Sequence, residues 1–526
     1  MNIPAFEHTV SSLQALLSNE NEPLQKVSHL LKYDPGLYFS LLQFVNASDK
    51  RKDVSTVSQA ISLIGSEGVE KHILQQDSFL AEDYLLLWCY SVIAGCSAVR
   101  LNERAEICEE EEAYFAGILP SIGIMLMLAQ RTHYRPVLDI LLKVPTEDKI
   151  FIETRLFKTN HIEQLEKHCT APKIYTDCIS IMNFIFSKDG ERIREFEHPA
   201  RYSVAHKSFQ LFQLLDASAA AARTILFPSI VEAQEKFREL GKRYFKIPEN
   251  AIEELLADII GDFEAVCAEF GLLEAVQNIL PYTEKVALQP LTFITNSTAL
   301  NNAMESIYAA NREERNIIIY GEPGAGKRLL AVVLHRRPDN PRHSKPLLSY
   351  YCSTMDSETL ETELFGTKGG FLGLEKHKAA LEMADGGTIL LKDVDSIPLT
   401  LQDRLAEIFC KDEYYKIGET RPVFFTVRFL LTSKLDIVAE AKEGRFSERL
   451  LRVLNPASIY IPPLRERRKD IELIAEHIIN KYNLQLDDPA LLLGLSEYYE
   501  KDPFPGNLKS LKRLLFFLSA KHRLKS

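Results

Sequence analysis

Apolar residues recur every three or four positions along most of the first 280 residues of the chain. Leu13 and Leu17 belong to one such set, and Ile252 and Leu256 belong to a later set that lies between acidic residues. This spacing places the apolar side chains on one face of an α-helix, where they can be buried. Strand-like alternation is scarce in this region, so the pattern predicts an all-α domain over residues 1–280.

The pattern changes beyond residue 300. Pro281 and Pro290 interrupt a stretch of weak periodicity, which we interpret as a linker over residues 281–300. Three short apolar runs then alternate with helical segments; they are Ile317–Tyr320, Thr388–Leu391 and Phe424–Thr432. Strands that alternate with helices indicate a parallel sheet covered on both faces. We therefore expect an α/β subdomain over residues 301–465 and a small helical lid over residues 466–526.

The composition is that of a soluble protein with more than one domain. The length of 526 residues exceeds that of one domain, and 46% hydrophobic and 26% charged residues are ordinary values. The formal net charge of −11 gives the whole protein no attraction to nucleic acid, so no direct DNA binding is expected. Basic residues near the C-terminus, such as Lys512 and Arg513, are interpreted as a solvated helix face rather than a nucleic-acid contact.

Cysteine usage and the N-terminal residues indicate the compartment. The eight cysteines are scattered and form no Cys-x-x-Cys pair, which is typical of a reducing environment. The first residues lack the basic region and the apolar run of a signal peptide. The most apolar stretch, Ile118–Leu128, is shorter than the roughly 20 residues of a membrane span. We expect a cytoplasmic protein that has no membrane association.

A glycine-rich loop separates the predicted strand Ile317–Tyr320 from a helical segment. It consists of Gly321, Glu322, Pro323, Gly324, Ala325, Gly326 and Lys327. Glycines let backbone N–H groups converge on phosphate oxygens, and a helix that begins at the loop adds the positive end of its dipole. Lys327 would reach the terminal phosphates. Arg328 stands where a Ser or Thr usually binds magnesium, so the loop predicts ATP binding and leaves the role of magnesium open.

Further short motifs follow this loop along the chain. They are ELFG at Glu363–Gly366, ADGGT at Ala384–Thr388, PPLRER at Pro462–Arg467 and PGNL at Pro505–Leu508. In this order they resemble the AAA+ ATPase domain of sigma-54-dependent transcription activators, over about residues 301–518. The resemblance implies a P-loop nucleotide-binding fold, ATP as the cofactor, sigma-54 RNA polymerase as a partner and assembly into a homo-oligomer.

The resemblance also locates the acidic residues that would act on ATP. The family has two adjacent carboxylates at the end of the Walker B strand, one for magnesium and one for the attacking water. In the direct alignment Lys392 takes the magnesium position and Asp393 the catalytic one. Shifted by one residue, Asp393 takes the metal position and Val394 the catalytic one. Neither alignment gives two adjacent acids, so Asp393 is left as a weak candidate for the catalytic residue.

The arginines that act on a neighbouring subunit's nucleotide are missing from their expected places. Ser447 and Val453 stand at the two positions that the family gives to arginine fingers. Arg449 and Arg452 lie nearby, but a shift of one or two residues turns a helical side chain by about 100° to 200°. Lys509 replaces the sensor II arginine and keeps its charge without the bidentate geometry. These replacements add to the Walker B change and predict impaired hydrolysis.

The loop that contacts the sigma factor in the family is altered here. The family sequence GAFTGA corresponds to Gly369–Leu374, after a one-residue deletion. The partner-loop candidates are Gly370, Phe371, Leu372 and Gly373. The aromatic residue is kept, whereas leucine replaces the threonine that contacts the sigma factor. We expect no helix-turn-helix domain after the lid, and the contact with sigma-54 is left open.

Four blocks in the N-terminal half share another family pattern. They are Asp34–Pro35, Leu41–Asn46, Ser58–Gly65 and Ala113–Leu119. They resemble the HDOD module, a helical output domain related to HD phosphohydrolases. Those enzymes bind metal through a His-Asp pair, but Pro120 and Ser121 stand in its place and Tyr90 occupies an upstream histidine position. His161 is interpreted as a packing or surface residue, so no metal site is expected.

Together these features favour a bacterial regulatory protein in which a helical sensor domain is coupled to an ATP-binding domain with impaired hydrolysis. The alternative is an active ATPase that remodels sigma-54 RNA polymerase, and another regulatory protein is a second choice of partner. A third interpretation is a signalling scaffold that works without nucleotide. A residual HD phosphohydrolase is disfavoured by the missing metal ligands.

Overall fold

The computed structural model describes most of the chain. The described residues are 3–18, 24–48, 54–74, 78–79, 81–169, 173–187, 203–245, 247, 249–277, 293–353, 357–366, 379–411, 413–419, 421–486 and 506–525. The chain forms two compact units, one from residues 1–289 with 516–526 and one from residues 290–515. Each unit is described by itself.

The first unit is built mainly from helices. They are α1 Glu7–Leu17, α2 Leu24–Leu31, α3 Pro35–Ser48, α4 Val57–Leu74, α5 Ala81–Ala105, α6 Glu110–Gln130, α7 Leu138–Lys143, α8 Thr146–Phe157, α9 His161–His168, α10 Lys173–Ser187, α11 Ser203–Leu226, α12 Val231–Phe245, α13 Glu249–Glu269 and α14 Leu273–Gln277. Leu13 in α1 and Ile252 in α13 are buried, as the apolar spacing predicts. The prediction of a helical N-terminal region is confirmed.

Helices α5 and α6 form the centre of this unit. Every residue of α6 from Ala113 to Leu128 is buried, so the helix has no polar face there. Within these two helices, Tyr84–Ala105 and Glu110–Gln130 are long and apolar enough to cross a membrane, although 78% and 83% of their apolar windows are buried inside the unit. A helix that is apolar all round is equally typical of a protein core. The apolar part of α6 is therefore longer than the stretch Ile118–Leu128 recognised in the sequence.

One short strand pair departs from the predicted all-α architecture. Strands β1 Ala5–Phe6 and β2 Ser78–Phe79 pair in parallel over two residues each. The buried Asp34 carboxylate accepts hydrogen bonds from the backbone N–H groups of Phe6 at 2.7 Å and Leu37 at 2.9 Å. Asp34 thereby joins β1 to the first turn of α3, and burial raises its pKa to about 7. A two-residue strand is too short to produce a recognisable alternation in the sequence.

The second unit contains a parallel sheet and a separate hairpin. Its strands are β3 Ile317–Tyr320, β4 Leu347–Tyr351, β5 Thr388–Lys392, β6 Glu413–Tyr415, β7 Pro422–Phe424, β8 Arg428–Ser433 and β9 Ala457–Tyr460. Five of them form the parallel sheet in the order β4-β5-β8-β3-β9, and β6 pairs with β7 in antiparallel fashion. In such sheets ligands bind beyond the carboxyl ends of the strands. The loop after β3 lies at this edge of the sheet.

Helices precede, separate and follow the strands of the sheet. They are α15 Thr298–Arg312, α16 Lys327–Arg336, α17 Ser357–Phe365, α18 Ala380–Met383, α19 Leu399–Lys411, α20 Ile437–Lys442, α21 Glu448–Leu454, α22 Lys469–Tyr482 and α23 Leu508–Arg523. One hydrophobic cluster joins the sheet to α15 and α16, and a second cluster on the other face joins it to α17 through α21. The prediction of an α/β fold with a parallel sheet is confirmed.

The predicted strand Phe424–Thr432 is wrong as a single element. Phe424 ends the hairpin strand β7, whereas Arg428 begins the sheet strand β8. Phe425 and Phe429 are buried in the same hydrophobic cluster, so the sequence stays apolar across the break. Strands β4 and β9 carry weaker apolar patterns because they are the two edges of the sheet.

Candidate nucleotide-binding site

The glycine-rich loop lies between the end of β3 and α16, which begins at Lys327. Gly321, Gly324 and Gly326 have φ angles of 145°, 76° and 108°, in a region that other residues rarely adopt. A Cβ atom at Gly324 would also collide with the backbone oxygen of Gly506. The loop conformation therefore requires its glycines, and it places the N-terminus of α16 where phosphate groups are bound in P-loop proteins.

The side chain of Lys327 folds back over the loop. The residue is only 8% exposed, and its Nζ atom donates hydrogen bonds to the carbonyl oxygens of Gly321 at 2.5 Å and Glu322 at 2.9 Å. Burial lowers the pKa of Lys327, whereas the nearby carboxylates of Asp393 and Asp395 act in the opposite direction. The ammonium group is thus held at the loop, where phosphate oxygens can replace the two carbonyl oxygens.

Residues that follow β9 hold the other side of the loop. Glu322 forms a bidentate ion pair with the guanidinium group of Arg465. The Nδ2 atom of Asn507 donates to Glu322 at 3.3 Å and to the carbonyl oxygen of Pro323 at 3.0 Å. The hydrogen bonds from Arg465 are the largest cause of the lowered pKa of Glu322. The loop is therefore tied to two segments that are distant in sequence.

Three further residues contact the loop or its surroundings. The Nη2 atom of Arg467 donates to the carbonyl oxygen of Ala325 at 2.6 Å. The backbone N–H of Leu508 donates to the carbonyl oxygen of Gly324 at 3.1 Å. The guanidinium group of Arg467 also lies 5.8 Å from the centroid of the Phe293 ring. Arg467 belongs to the PPLRER motif and Leu508 to the PGNL motif. These contacts were not predicted from the sequence, and the two motifs were the signal that could have revealed them.

The other predicted cofactor-binding residues differ in exposure. Pro323 is exposed at the surface of the loop, whereas Ala325 is fully buried. Arg328 is half-buried in the first turn of α16. Lys509 is exposed in the first turn of α23, directly after Leu508. The described contacts from this end of α23 to the loop thus come from the residues just before Lys509.

Lys392 ends strand β5 and is only 3% exposed. Side chains alternate along a strand, so Lys392 shares a sheet face with Thr388 and Leu390. The hydroxyl of Thr388 lies 3.1 Å from Nδ1 of His335 in α16, and Leu390 packs in the hydrophobic cluster that includes this helix. Lys392 therefore lies on the face of the sheet that carries α16 and the phosphate loop.

Asp393 follows Lys392 in a left-handed backbone conformation, with φ of 54°. Its Oδ2 atom accepts a hydrogen bond from the Ser353 hydroxyl at 3.0 Å, and its N–H donates to the Thr432 hydroxyl at 3.3 Å. Magnesium prefers oxygen ligands, which P-loop hydrolases supply from a Ser or Thr after the lysine and from a strand carboxylate. In the direct alignment Arg328 and Lys392 hold these positions, and in the shifted alignment Asp393 takes the place of the strand carboxylate. The residues of the direct alignment do not fit a magnesium ion, since neither offers an oxygen ligand.

Ser447 and Val453, which the resemblance assigns to the positions of the arginine fingers, contribute to the packing of the unit. The Ser447 hydroxyl caps the N-terminus of α21 and donates a hydrogen bond to Oδ1 of Asp403 at 2.6 Å. Val453 packs against the hydrophobic cluster on the α17–α21 face of the sheet. Arg449 and Arg452 are exposed on α21, and the side chain of Arg452 is 82% exposed. The exposed arginines of α21 therefore lie at other positions than those of the family's fingers.

The predicted partner loop lies outside the described residues; its candidates are Gly370, Phe371, Leu372 and Gly373. The ELFG motif that precedes it is described and ends helix α17 at Phe365. The carbonyl oxygen of Gly366 then accepts a hydrogen bond from the N–H of Ile417 at 3.1 Å. The beginning of the partner segment is thus fixed to the residues that follow β6.

The HDOD-like half contains a buried polar cluster, which we call the Glu153 cluster: Tyr134, Lys149, Glu153 and His161. Nδ1 of His161 lies 2.6 Å from Oε2 of Glu153, and Glu153 also accepts a hydrogen bond from the Tyr134 hydroxyl. The Nζ atom of Lys149 lies 5.4 Å from the centroid of the Tyr90 ring. Burial lowers the pKa of His161, and it lowers that of Lys149 to about 8. All four members of the cluster are buried.

The described parts of the chain show no clustering of metal-binding side chains. Within them, no group of three or more His, Cys, Asp or Glu side chains is arranged to hold a metal ion. The His161–Glu153 pair is closed off from solvent on both sides, with neither side chain exposed. Glu153 bonds both His161 and Tyr134, so their arrangement is that of a packed polar network.

Two family models match the chain. The HDOD domain matches residues 3–165, and the Sigma-54 interaction domain matches residues 293–460. The chain thus combines an N-terminal HDOD domain with a sigma-54 interaction domain of the AAA+ P-loop type. This confirms the resemblance inferred from the sequence motifs.

Several relatives are transcription regulators, and one is a nitrogen fixation protein. The nitrogen fixation protein AnfA of Azotobacter vinelandii is 29% identical over 277 residues, which cover 49% of this chain and 51% of AnfA. The DNA-binding transcriptional regulator NtrC of Salmonella typhimurium is 32% identical over 230 residues, covering 43% of this chain and 49% of NtrC. The chain therefore spans about half the length of the curated relatives it matches.

Solved structures also align with the chain. NtrX from Brucella abortus in complex with ADP aligns with a TM-score of 0.40 and 23% identity, and the alignment covers 56% of this chain and 70% of NtrX. The response regulator MmoQ from Methylococcus capsulatus aligns with a TM-score of 0.38 and 20% identity, over 49% of this chain and 99% of MmoQ.

Proposed function

We propose that this protein is an ATP-binding regulator in which the HDOD domain senses a signal or a partner and the sigma-54 interaction domain binds ATP with impaired hydrolysis. One contrast carries the proposal. The phosphate loop keeps its glycines and Lys327, whereas Lys392 stands at the position of the metal-binding carboxylate. A site of this kind can bind a triphosphate but lacks groups that its cleavage requires.

The loop and its surroundings support the binding of ATP. The residues from Gly321 to Lys327 would hold the phosphates through backbone N–H groups, and the N-terminus of α16 would add a favourable electrostatic potential. Lys327 already has its ammonium group at the loop. Phe293 and Leu508 lie beside Gly326 and provide an apolar surface. These features fit a nucleotide in both charge and shape.

Three replacements support impaired hydrolysis. Lys392 removes the carboxylate that would hold the cation, and Ser447 and Val453 remove the arginine fingers. An arginine finger alone is worth about 10³-fold to 10⁵-fold in the rate of phosphoryl transfer. Asp393 retains a carboxylate near Lys327, but its hydrogen bond to Ser353 engages one of its oxygens. We therefore propose ATP as a regulatory ligand rather than a fuel.

The proposal includes the partners and the location of the protein. We propose sigma-54 RNA polymerase or another regulatory protein as the partner, since residues 293–460 match the Sigma-54 interaction domain. We also propose that the chain forms a homo-oligomer and works in the cytoplasm without membrane association. The formal net charge of −11 favours a protein partner over direct contact with DNA.

The test measures ATP binding and ATP turnover on the purified full chain. Calorimetric titration and a phosphate-release assay are run on the wild type, on Lys327→Ala and on Lys411→Ala, whose side chain is exposed on α19. We expect micromolar binding that falls by about 100-fold in Lys327→Ala, since about 2.7 kcal/mol of phosphate contact is lost. The Lys411→Ala control should bind as the wild type does. Turnover should stay far below about 1 per second.

Two results would replace this proposal with an alternative. Turnover near about 1 per second that is abolished in Lys327→Ala would favour an active ATPase that remodels sigma-54 RNA polymerase. Failure of the wild type to bind ATP under any condition would favour a signalling scaffold that works without nucleotide.

A further inference from the structure

The charges around the phosphate loop differ from those of a site built for a metal–nucleotide complex. The position after Lys327 carries the guanidinium group of Arg328, and the end of β5 carries the ammonium group of Lys392. Both groups are positive and neither offers an oxygen ligand. A divalent cation close to either group would be repelled by it.

The location of Lys392 bears on which ligand the phosphate loop can bind. The residue is 3% exposed, and its strand neighbours Thr388 and Leu390 contact or pack with α16. The lysine therefore belongs to the same sheet face as the helix that carries the phosphate loop.

The acidic groups nearby are already engaged with protein donors. Asp393 accepts a hydrogen bond from Ser353 at 3.0 Å, and Oδ1 of Asp395 accepts one from the N–H of Lys434 at 3.1 Å. Both carboxylates also act to raise the pKa of Lys327, against the effect of its burial. The two acids thus balance part of the local positive charge instead of forming an open set of oxygen ligands.

We propose that this site binds the metal-free nucleoside triphosphate, and that the Lys392 ammonium group supplies the positive charge that magnesium supplies in P-loop hydrolases. The inference rests on the proposed binding of ATP at the phosphate loop. Lysine is a compact point charge, suited to phosphate oxygens. The magnesium complex of ATP binds more weakly, because its cation meets Lys392 and Arg328 as like charges.

The test compares ATP affinity with and without magnesium on the full chain. Calorimetric titrations are run in EDTA and in magnesium chloride in excess over ATP. We expect binding to be at least about tenfold tighter in EDTA, because like-charge repulsion of this size costs more than 1.4 kcal/mol at short range. Equal or tighter binding in magnesium overturns the inference and leaves the proposed function intact. If ATP binds in neither buffer, the proposed function itself fails.

Variants assign the effect to Lys392. Lys392→Met keeps the aliphatic stem and removes the charge, so the preference for EDTA should fall to less than about threefold. Lys392→Asp should reverse it, with ATP bound more tightly in magnesium. Lys411→Met, a matched change on the surface of α19, should bind as the wild type does.

A full preference for EDTA in Lys392→Met would overturn the role of this lysine. The methionine variant preserves the packing volume, so it remains informative if Lys392→Asp fails to fold. The comparison on the wild type needs no variant, and circular dichroism of each variant verifies its fold.

Discussion

The HDOD half and the nucleotide half both resemble enzyme domains with replaced catalytic residues, yet they differ in what stands at those positions. In the HDOD half, Pro120, Ser121 and Tyr90 stand there and are buried, and the nearby pair Glu153 and His161 is fully buried and bonded to each other. In the nucleotide half, the loop itself is intact, and Gly324 and Pro323 remain exposed. We propose that replacement has affected the position that would hold the cation, now Lys392, while the loop that would bind the phosphates is kept.

The difference shows two ways in which a site can lose its chemistry. A site filled by its own side chains becomes part of the core, and mutations there change stability. A site that exchanges its reacting groups but keeps its binding loop can still hold a ligand, and mutations there change affinity. Mutations in the two halves separate these two outcomes.

The largest effect is expected at the Glu153 cluster. Glu153→Ala leaves the Tyr134 hydroxyl and the His161 ring without a buried acceptor, so the free energy of unfolding should fall by about 3–5 kcal/mol. ATP affinity should not change. Differential scanning calorimetry and titration calorimetry measure the two quantities, with Glu67→Ala, exposed on α4, as the control. A loss below about 1 kcal/mol would contradict the view of the cluster as a structural network.

The next effect is expected at the phosphate loop. Gly324→Ala combines a φ of 76° with a collision against the Gly506 backbone, so stability should fall by about 1–3 kcal/mol and ATP affinity by about tenfold or more. Gly386→Ala is the matched control, because its φ of 69° imposes the same strain and no atom lies within 4 Å of the added Cβ. It should lose stability but retain ATP affinity. Equal affinities in both variants would contradict the proposed role of the loop.

A third effect is expected in the pH dependence of stability. Burial lowers the pKa of Lys149 from 10.5 to about 8, so between these values the unfolded chain binds more protons than the folded chain. The free energy of unfolding of the wild type should therefore rise with pH over this range, by about 1–3 kcal/mol relative to Lys149→Met. Chemical denaturation at several pH values measures the difference. Parallel profiles for the two proteins would show that Lys149 stays charged in the fold.

The smallest effect is expected at the Glu322–Arg465 ion pair. The two side chains are 36% and 46% exposed, and exposed pairs contribute about 0–1 kcal/mol, so Glu322→Gln should hardly change the melting temperature. Removing a negative charge beside the phosphates should raise ATP affinity by about threefold. Glu407→Gln on α19 is the control, since its side chain is 56% exposed in another ion pair. Reduced affinity in Glu322→Gln would mean that the ion pair holds the loop in its binding conformation.

Much of the fold follows from local sequence patterns. The run Ile317–Tyr320 is strand β3 as predicted, and the buried stripe of α13 follows the spacing of Ile252 and Leu256. Both elements have strong periodicity because one face or the whole strand is buried. The edge strands β4 and β9 and the two-residue pair β1–β2 have weaker or shorter patterns, and the sequence did not indicate them.

The residues of the candidate site likewise divide into those that a local sequence pattern predicts and those that only the fold brings together. The loop residues and the replacement at Lys392 can be recognised from a continuous motif and a strand end. The contacts of Arg465 and Asn507 with Glu322 join residues that are 143 and 185 positions apart. The Glu153–His161 pair likewise depends on the packing of α8 against α9. Such contacts are set by tertiary structure, and no local pattern predicts them.

The fate of ATP bound to the protein tests most directly whether the site binds ATP without cleaving it. Radiolabelled ATP is mixed with an excess of the full chain, and the bound nucleotide is recovered after an hour and separated by chromatography. We expect the bound nucleotide still to be ATP, because the proposed replacements remove groups that would cleave it while Lys327 and the loop glycines remain. Recovery of ADP at a rate that depends on Lys327 would contradict it.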